Sequence, residues 1–323
     1  MKKTFKWIGI LIIVIFVVLI YSGTYLDISR EELEAKYATG SSQFLDLPDG
    51  ARIHFRDEGK TESPVIVLLH GFNGSLFNFE RLVPLLADDF RLISIDLPGF
   101  GLTGAIPSAD YTTESFMDTV TKLTNQLGIE KFSIAGNSMG GGVAWRYTLE
   151  FPTKVEGLIL LASSGVGSKE DVKKFEEREN NTPIVWKLMK SNLLKKFLNY
   201  YTPKFFATEG LKRSVYDQQF ADVDHANQFH ELVLLQGSRN AILSMTMGGR
   251  RKMHGPESLS KITAPTLVIH GEEDNIIGFE RSLVFKENID NAEIKIYPKI
   301  GHLPMYEDPA RTADDILKFF QDL

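Results

Sequence analysis

The chain has 323 residues, of which 43% are hydrophobic and 24% charged, a composition that supports one large folded domain or two. Its net charge of −6 and pI of about 5.7 argue against a nucleic-acid partner, because a phosphate-binding surface normally carries a basic excess. The absence of cysteine excludes disulfides, zinc–thiolate sites and a cysteine nucleophile.

The first 26 residues differ from the rest of the chain. Lys2, Lys3 and Lys6 come first, and residues 7–26 then carry no charge. About 20 helical residues span the hydrocarbon core of a bilayer, so residues 1–26 predict a transmembrane anchor with a cytoplasmic N-terminus and an extracytoplasmic catalytic domain. The alternative is a cleaved signal peptide, because the most apolar stretch, residues 8–20, is short. The protein would then be secreted.

Strand and helix patterns alternate after a polar linker at residues 27–42. Residues 43–58 predict a hairpin around a Pro-Asp-Gly turn. Apolar runs predict further strands at 65–70, 91–96, 132–137, 155–163, 266–271 and 293–298, and helical patterns occupy 76–87, 113–127, 139–151, 279–288 and the residues from 308. This alternation predicts an α/β fold with a mainly parallel sheet flanked by helices.

One long segment interrupts the alternation. Residues 165–258 show several helix-like stretches and no convincing strand, so they predict a helical cap inserted into a core formed by 43–164 and 259–323. The aromatic side chains of this cap either form an acyl-chain tunnel or pack the interior of the cap itself. They are Trp186, Phe197, Tyr200, Tyr201, Phe205 and Phe206.

A serine between two glycines lies where a predicted strand ends and a predicted helix begins. Residues 136–140 read G-N-S-M-G, with Gly136 and Gly140 two positions on either side of Ser138. Glycine is needed there because larger side chains would collide with the neighbouring turn. This strand–turn–helix pattern is a nucleophile elbow, in which a strained turn exposes the serine hydroxyl. We therefore predict Ser138 as a nucleophile.

A catalytic serine requires a base and an acid that orients the base. Among seven histidines, His302 lies in a loop between the last strand and the last helix, from which its imidazole can reach the edge of the sheet near Ser138. Asp274 follows the strand at 266–271 and completes the order Ser…Asp…His. Glu272 and Glu273 are the alternative acids. The other histidines have different predicted roles: His54 is an exposed strand residue, His70 a loop brace and His270 a structural residue. The three in the cap are surface residues or, alternatively, substrate contacts; they are His225, His230 and His254.

Two backbone N–H groups are needed to stabilise a tetrahedral oxyanion. Met139, directly after the nucleophile, supplies one. The loop after the strand at 65–70 reads H-G-F-N-G, and its Phe72 N–H is the predicted second donor. Gly71 allows this loop to turn close to the sheet edge, and His70 braces it by hydrogen bonding.

Five motifs then occur in a familiar order: HGFNG, DLPGFG, GNSMGGG, GEEDNII and GHLPMYEDP. In these motifs the chain resembles the α/β-hydrolases over residues 43–164 and 262–323, with the insertion where that family places its cap. Within the family it is similar to bacterial lipases and esterases and to membrane-anchored monoacylglycerol lipases. The GNSMGG segment is also similar to carbon–carbon bond hydrolases of aromatic ring degradation.

The triad and this resemblance imply a serine hydrolase that cleaves carboxylic esters, with no metal and no cofactor. The predicted anchor makes it membrane-tethered and indicates acylglycerol-like substrates, because the catalytic domain would be held near a bilayer. A G-x-G-x-x-G pattern at 99–104 does not predict a dinucleotide site, because no helix follows it. Two alternatives remain: a carbon–carbon bond hydrolase of the meta-cleavage type, and a catalytically silent binding protein with a hydrolase fold. The sequence leaves the oligomeric state and the acyl-chain length undetermined.

Overall fold

An eight-stranded mixed sheet forms the centre of the molecule. The structure is a computed structural model that describes residues 2–167, 170, 196–247 and 255–322. In chain order the strands are β1 Ser42–Asp46, β2 Arg52–Gly59, β3 Val65–Leu69, β4 Arg91–Ile95, β5 Phe132–Asn137, β6 Val155–Leu161, β7 Thr266–Gly271 and β8 Ala292–Tyr297. Their spatial order is β1-β2-β4-β3-β5-β6-β7-β8. Only the β1–β2 and β2–β4 pairs are antiparallel, which confirms the predicted α/β fold with a mainly parallel sheet.

Helices cover both faces of this sheet. The described α-helices are α1 Lys2–Gly23, α2 Arg30–Tyr37, α3 Val83–Leu86, α4 Thr113–Gln126, α5 Met139–Glu150, α6 Lys204–Ser214, α7 Val223–Val233, α8 Ser238–Met247, α9 Glu280–Asn288, α10 Pro304–Glu307 and α11 Pro309–Gln321. Alternate residues of β3 point to opposite faces, so Val67 packs with α4 and α5 in one apolar core while Leu68 packs with α3 and α11 in another. A strand buried on both faces reads as a continuous apolar run, which is why β3 is recognisable in the sequence.

The helix predicted at 76–87 is divided in two. A 3₁₀ turn at Leu76–Phe79 precedes α3, which begins at Val83. Pro84 lies in the first turn of α3, where its missing N–H costs no intrahelical hydrogen bond. The same proline would interrupt a continuous helix from residue 76, so the chain restarts its helix there.

The first helix, α1, is 22 residues long. Across the ranges that the structure describes, no helix combines the length and apolar character needed to cross a membrane, so the predicted N-terminal span lacks support there.

The segment between α1 and β1 packs against the rest of the molecule. Residues 27–42 are predicted as a linker, yet the Ile28 N–H donates to the Leu234 carbonyl at 2.8 Å and the Gln236 N–H donates to the Ile28 carbonyl at 3.1 Å. Leu33 of α2 is buried in a small apolar cluster with residues of the cap and core. Burial of this side chain explains why a mostly polar stretch is held in place.

The predicted cap at 165–258 is helical where the structure describes it beyond residue 203. It contains α6, α7 and α8, with a 3₁₀ turn at Gln218–Phe220 between α6 and α7. A further 3₁₀ turn at Pro256–Lys261 precedes β7. Residues 168–169, 171–195 and 248–254 lie outside the described residues, and with them Trp186 and His254.

Candidate active site

Ser138 sits on the sharp turn between β5 and α5. Its φ of 52° and ψ of −114° lie outside the regions that L-residues normally adopt. The turn is possible because glycines flank it: a Cβ on Gly136 would lie 2.3 Å from the Gly140 carbonyl carbon, and one on Gly140 would lie 2.2 Å from the Leu69 carbonyl oxygen. Both distances are far below van der Waals contact. The sequence therefore places Ser138 on a strained turn, as a nucleophile elbow requires.

Hydrogen bonds from neighbouring segments hold this strained residue. The Ser138 N–H donates to the Leu161 carbonyl at 3.0 Å. Its carbonyl accepts from both the N–H and the hydroxyl of Ser164, each at 3.0 Å. Asn137 Nδ2 donates to the carbonyls of Leu161 at 3.1 Å and His302 at 3.0 Å. Asn137 thus links the serine strand to the histidine loop, a role that sequence reasoning missed.

Asp274 and His302 are in direct contact, although 28 positions separate them in the chain. His302 Nδ1 donates to Asp274 Oδ2 at 2.6 Å, and both residues are buried. Glu272 is exposed, and Glu273 accepts from the Ile300 N–H at 3.2 Å instead. Among the three predicted acids, only Asp274 therefore has a described contact with the imidazole. With the Nδ1 proton held by Asp274, the Nε2 of a neutral His302 is left as a proton acceptor.

Both oxygens of the Asp274 carboxylate accept hydrogen bonds from further donors. His270 Nε2 donates to Oδ2 at 2.9 Å, and the N–H groups of Ile276 and Ile277 donate to Oδ1 at 2.7 and 2.9 Å. Burial alone would raise the pKa of Asp274, but the hydrogen bonds from His270 and His302 outweigh it and hold this pKa well below its usual range. The carboxylate therefore stays ionised and can stabilise an imidazolium.

The loop that carries His302 is fixed between the core and the cap. The His302 N–H donates to the Ser214 carbonyl at 2.8 Å, at the end of α6. The preceding residue, Gly301, donates its N–H to Glu307 Oε1 at 2.8 Å. Glu307 is buried, and burial raises its pKa. Sequence reasoning missed Glu307, although it belongs to the GHLPMYEDP motif.

The predicted oxyanion loop lies against the nucleophile. A Cβ built on Gly71 would lie 3.1 Å from the Ser138 Cβ, so this glycine permits the close approach of loop and serine. His70 Nδ1 donates to the Gly71 carbonyl at 2.7 Å, and its Nε2 accepts from the Leu97 N–H at 3.0 Å. Both hydrogen bonds are of the kind that the predicted bracing role of His70 requires. Burial lowers the pKa of His70, which keeps the imidazole neutral as this pair of contacts requires.

Ser138, His302 and Phe72 line one cavity of about 310 Å³. The polar residues Asn73, Asn78, Asn137 and Ser214 also line it, but most of its surface is apolar. Leu211 and Phe206 of α6 contribute to this apolar part, with further side chains from α7 and two loops. Those side chains are Phe229, Ile276 and Leu303. A cavity of this size and character suits a small apolar ligand.

His54 differs from its prediction as an exposed residue. It is fully buried, because β2 lies between β1 and β4 and the loop after β4 covers it. Its Nδ1 lies 2.7 Å from Asp96 Oδ2, and its Nε2 lies 3.0 Å from Ser42 Oγ. Asp96 also accepts from the N–H groups of Leu76 at 2.7 Å and Leu102 at 2.8 Å, so this second Ser–His–Asp cluster organises loops.

The remaining described histidines have partners outside the elbow. His230 Nε2 donates to the Thr202 carbonyl at 2.8 Å, and His225 Nδ1 accepts from the Tyr306 hydroxyl at 2.8 Å. Both are buried or half-buried, in contrast to the predicted surface positions, and burial lowers both pKa values. They connect the cap to its surroundings.

Comparison with known proteins agrees with the fold. Residues 64–309 match a family model for the alpha/beta hydrolase fold. Because this match covers most of the chain, the protein belongs to the α/β-hydrolase fold family, and it is a hydrolase of that fold.

Several relatives lie within this family. The chain is 30% identical to Lipase 1 of Psychrobacter immobilis over 293 residues, which cover 90% of this chain and 85% of that protein. It is 26% identical to a 2-hydroxy-6-oxononadienedioate/2-hydroxy-6-oxononatrienedioate hydrolase of Burkholderia vietnamiensis, covering 91% of this chain and 98% of the other. A solved membrane phospholipase A, described as a bacterial virulence factor, superposes with a TM-score of 0.72 at 22% identity, covering 100% and 99% of the two chains. This last likeness shows a shared fold.

Proposed function

We propose that the protein is a serine hydrolase that cleaves carboxylic esters, with Ser138 as nucleophile, His302 as base and Asp274 as orienting acid. The observation that carries this proposal is the 2.6 Å hydrogen bond from His302 to Asp274, made beside a cavity that Ser138 and His302 both line. The identity with Lipase 1 is consistent with it.

In this mechanism His302 Nε2 takes the Ser138 proton as Oγ attacks the ester carbonyl carbon. The N–H groups of Phe72 and Met139 stabilise the resulting oxyanion. Collapse of the tetrahedral intermediate breaks the bond to the alcohol, which leaves with the proton from His302. Water, activated by the same imidazole, then attacks the acyl-enzyme and releases the carboxylic acid.

The apolar lining of the cavity supports an acyl chain as the group bound there. Phe206, a predicted tunnel residue, lines the cavity although its side chain is also exposed to solvent. Phe197, Tyr200 and Phe205 are exposed and do not line the cavity. Burying an acyl chain contributes about 0.8 kcal/mol of favourable binding free energy per CH₂ removed from water. This lining therefore favours a substrate with a hydrocarbon portion.

We also propose that α1 tethers the enzyme to a membrane, with the catalytic domain on the extracytoplasmic side. Residues 7–26 carry no charge, and large apolar side chains along α1, such as Trp7 at 69% and Ile13 at 63%, are exposed. Exposed apolar surface of this extent is typical of a segment that meets lipid. If the segment is instead cleaved as a signal peptide, mass spectrometry of the mature protein will find its N-terminus missing.

A second candidate is hydrolysis of a carbon–carbon bond. It is favoured by the 26% identity to the Burkholderia vietnamiensis hydrolase over nearly its whole length. That reaction would use the same serine and histidine, so the substrate and not the triad separates the two activities.

The test uses the full chain in detergent with two substrate types. We expect hydrolysis of p-nitrophenyl esters of graded acyl length and no turnover of a vinylogous diketone. A fluorophosphonate probe should label the protein, and Ser138→Ala should abolish both labelling and hydrolysis. The matched control is Ser260→Ala, which removes an exposed hydroxyl outside the cavity lining.

The opposite results discriminate among the candidates. Turnover of the diketone without ester hydrolysis would establish the carbon–carbon hydrolase. Folded protein that neither reacts with the probe nor hydrolyses any substrate would contradict serine hydrolysis and favour the catalytically silent binding protein.

A further inference from the structure

Four aromatic side chains are exposed just before and at the start of α6. They are Phe197, Tyr200, Phe205 and Phe206, exposed by 42%, 54%, 64% and 60%, and we refer to them as the aromatic patch. The exposed Lys196 and Lys204 adjoin it in the chain. Isolated exposed apolar residues are common, but four large aromatic side chains exposed within residues 197–206 indicate an interaction surface.

The aromatic patch lies where α1 joins the folded domain. The Tyr25 N–H donates to the Tyr200 carbonyl at 2.9 Å, and the Thr202 N–H donates to the Gly23 carbonyl at 2.8 Å. A Cβ on Gly23 would lie 2.5 Å from the Tyr201 ring, so this ring packs directly against Gly23. The C-terminal end of α1 is therefore attached directly to the patch.

The character of α1 indicates which partner covers this surface. Its exposed side chains include the neighbouring pairs Ile13–Val14 and Val17–Val18, which point to different sides of a helix. A helix that docks on a protein groove needs one apolar face, whereas a helix that is apolar all round needs a lipid environment. Aromatic rings and lysines together are typical of the interface between lipid and water.

We propose that the aromatic patch docks on the surface of the lipid bilayer that holds α1, and that the cavity receives its substrate from that surface. This inference rests on the proposed membrane tether and ester hydrolysis. Phe206 belongs both to the patch and to the cavity lining, and α6 also contributes Ala207, Gly210 and Leu211 to the cavity. One helix thus contacts the bilayer and the cavity, so an acyl chain can pass between them with little exposure to water.

Absence of native cysteine makes a direct test possible. The full chain is reconstituted in vesicles of phosphatidylethanolamine and phosphatidylglycerol as three single-cysteine variants, each carrying an environment-sensitive NBD label. Phe205→Cys reports the patch, Val14→Cys reports α1, and Leu85→Cys, an exposed position on α3 outside the cavity lining, is the matched control. We expect blue-shifted emission and quenching by nitroxide lipids at positions 205 and 14, and neither effect at 85.

Other quenching results would contradict different parts of the proposal. A label at 205 that behaves like the label at 85, while the label at 14 is quenched, would overturn bilayer docking and leave the tether intact. Unquenched labels at both 14 and 205 would overturn the tether and docking together. Hydrolysis of water-soluble p-nitrophenyl butyrate, measured on the same samples, tests the proposed chemistry separately.

A kinetic comparison tests delivery from the bilayer. Phe205→Ser is expected to lower hydrolysis of a long-chain ester embedded in vesicles by up to about tenfold, because removing an apolar side chain from lipid weakens docking by that order. Hydrolysis of p-nitrophenyl butyrate should be unchanged, and Leu85→Ser should change neither rate. Equal effects of Phe205→Ser and Leu85→Ser on the vesicle substrate would contradict the proposal.

Discussion

The carboxylate of Glu307 accepts a 2.8 Å hydrogen bond from the N–H of Gly301, the residue before His302. Its other oxygen accepts from the N–H groups of Tyr216 at 2.7 Å and Asp217 at 3.3 Å, just beyond α6. One buried side chain therefore holds the histidine loop and the start of the next cap segment together. Glu307 therefore supports the loop that carries His302, and it makes no described contact with the imidazole itself.

Glu307→Gln tests this positioning role. The amide keeps one acceptor oxygen but places an NH₂ donor opposite a backbone N–H, so we expect a loss of about 1–3 kcal/mol in the free energy of unfolding. We also expect kcat to fall with little change in KM, since the base moves and the apolar cavity remains. Urea unfolding and ester kinetics measure the two effects. The control Glu130→Gln, at an exposed position, should change neither the free energy of unfolding nor kcat. Wild-type stability in Glu307→Gln would refute the positioning role.

Asp274 is expected to make stability depend on pH in the acid range. Its folded-state pKa is depressed, so its contribution is fully present above the unfolded value of about 3.9 and is lost as the pH falls below that value. Urea unfolding from pH 7 to pH 3 should therefore show a steeper loss of stability in the wild type than in Asp274→Asn. Parallel curves for the two proteins would contradict this assignment.

The same substitution separates the candidate acids in catalysis. Asn leaves the geometry close to native but favours the wrong imidazole tautomer, so kcat for ester hydrolysis should fall by about four orders of magnitude. Glu272→Gln, which alters the exposed neighbouring acid, should retain wild-type kcat. A large loss in Glu272→Gln would show that the acid has been misassigned.

Gly140→Ala is expected to disrupt the elbow. Its Cβ would lie 2.2 Å from the Leu69 oxygen and 2.5 Å from the His70 oxygen, both backbone atoms that cannot move independently. We expect a loss of at least 1–3 kcal/mol in unfolding free energy, roughly the range for overpacking, together with loss of activity. Gly142→Ala is the matched control, because its nearest neighbour lies at 3.2 Å. Thermal unfolding and fluorophosphonate labelling would measure both variants, and equal behaviour would refute the steric argument.

Features that depend on local sequence could be predicted before the structure. The strand β5, the G-N-S-M-G turn and the helix α5 are adjacent in the chain, and the conformation of each limits the next. The pairing of His302 with Asp274 could also be predicted, because parallel strands bring their C-terminal loops to one edge of the sheet.

Features that depend on packing between distant segments could not be predicted from the sequence. His54 was expected to be exposed because a hairpin strand often has one solvated face, but Thr103 and Asp96 of a later loop cover it. Asn137 and Glu307 bond to backbone atoms of residues far from them in the chain, such as His302 and Tyr216. Residues 27–42 are polar, so their contacts with the cap leave no hydrophobic period in the sequence.

Arg239 is expected to hold the segment after α1 against the cap. This buried side chain donates from Nη1 to the Tyr25 carbonyl at 2.9 Å and from Nη2 to the Asp27 carboxylate. Arg239→Met keeps much of the apolar stem but removes both bonds, and because Asp27 is 43% exposed on its side chain, water can solvate the released carboxylate. We therefore expect a modest loss of about 1–2 kcal/mol in stability and faster amide hydrogen exchange at residues 25–28. Hydrogen exchange with mass spectrometry measures this, and Arg213→Met, at an exposed arginine of α6, is the control. Unchanged exchange at residues 25–28 in Arg239→Met would show that the backbone pairing with Tyr200 and Leu234 holds the segment without the arginine.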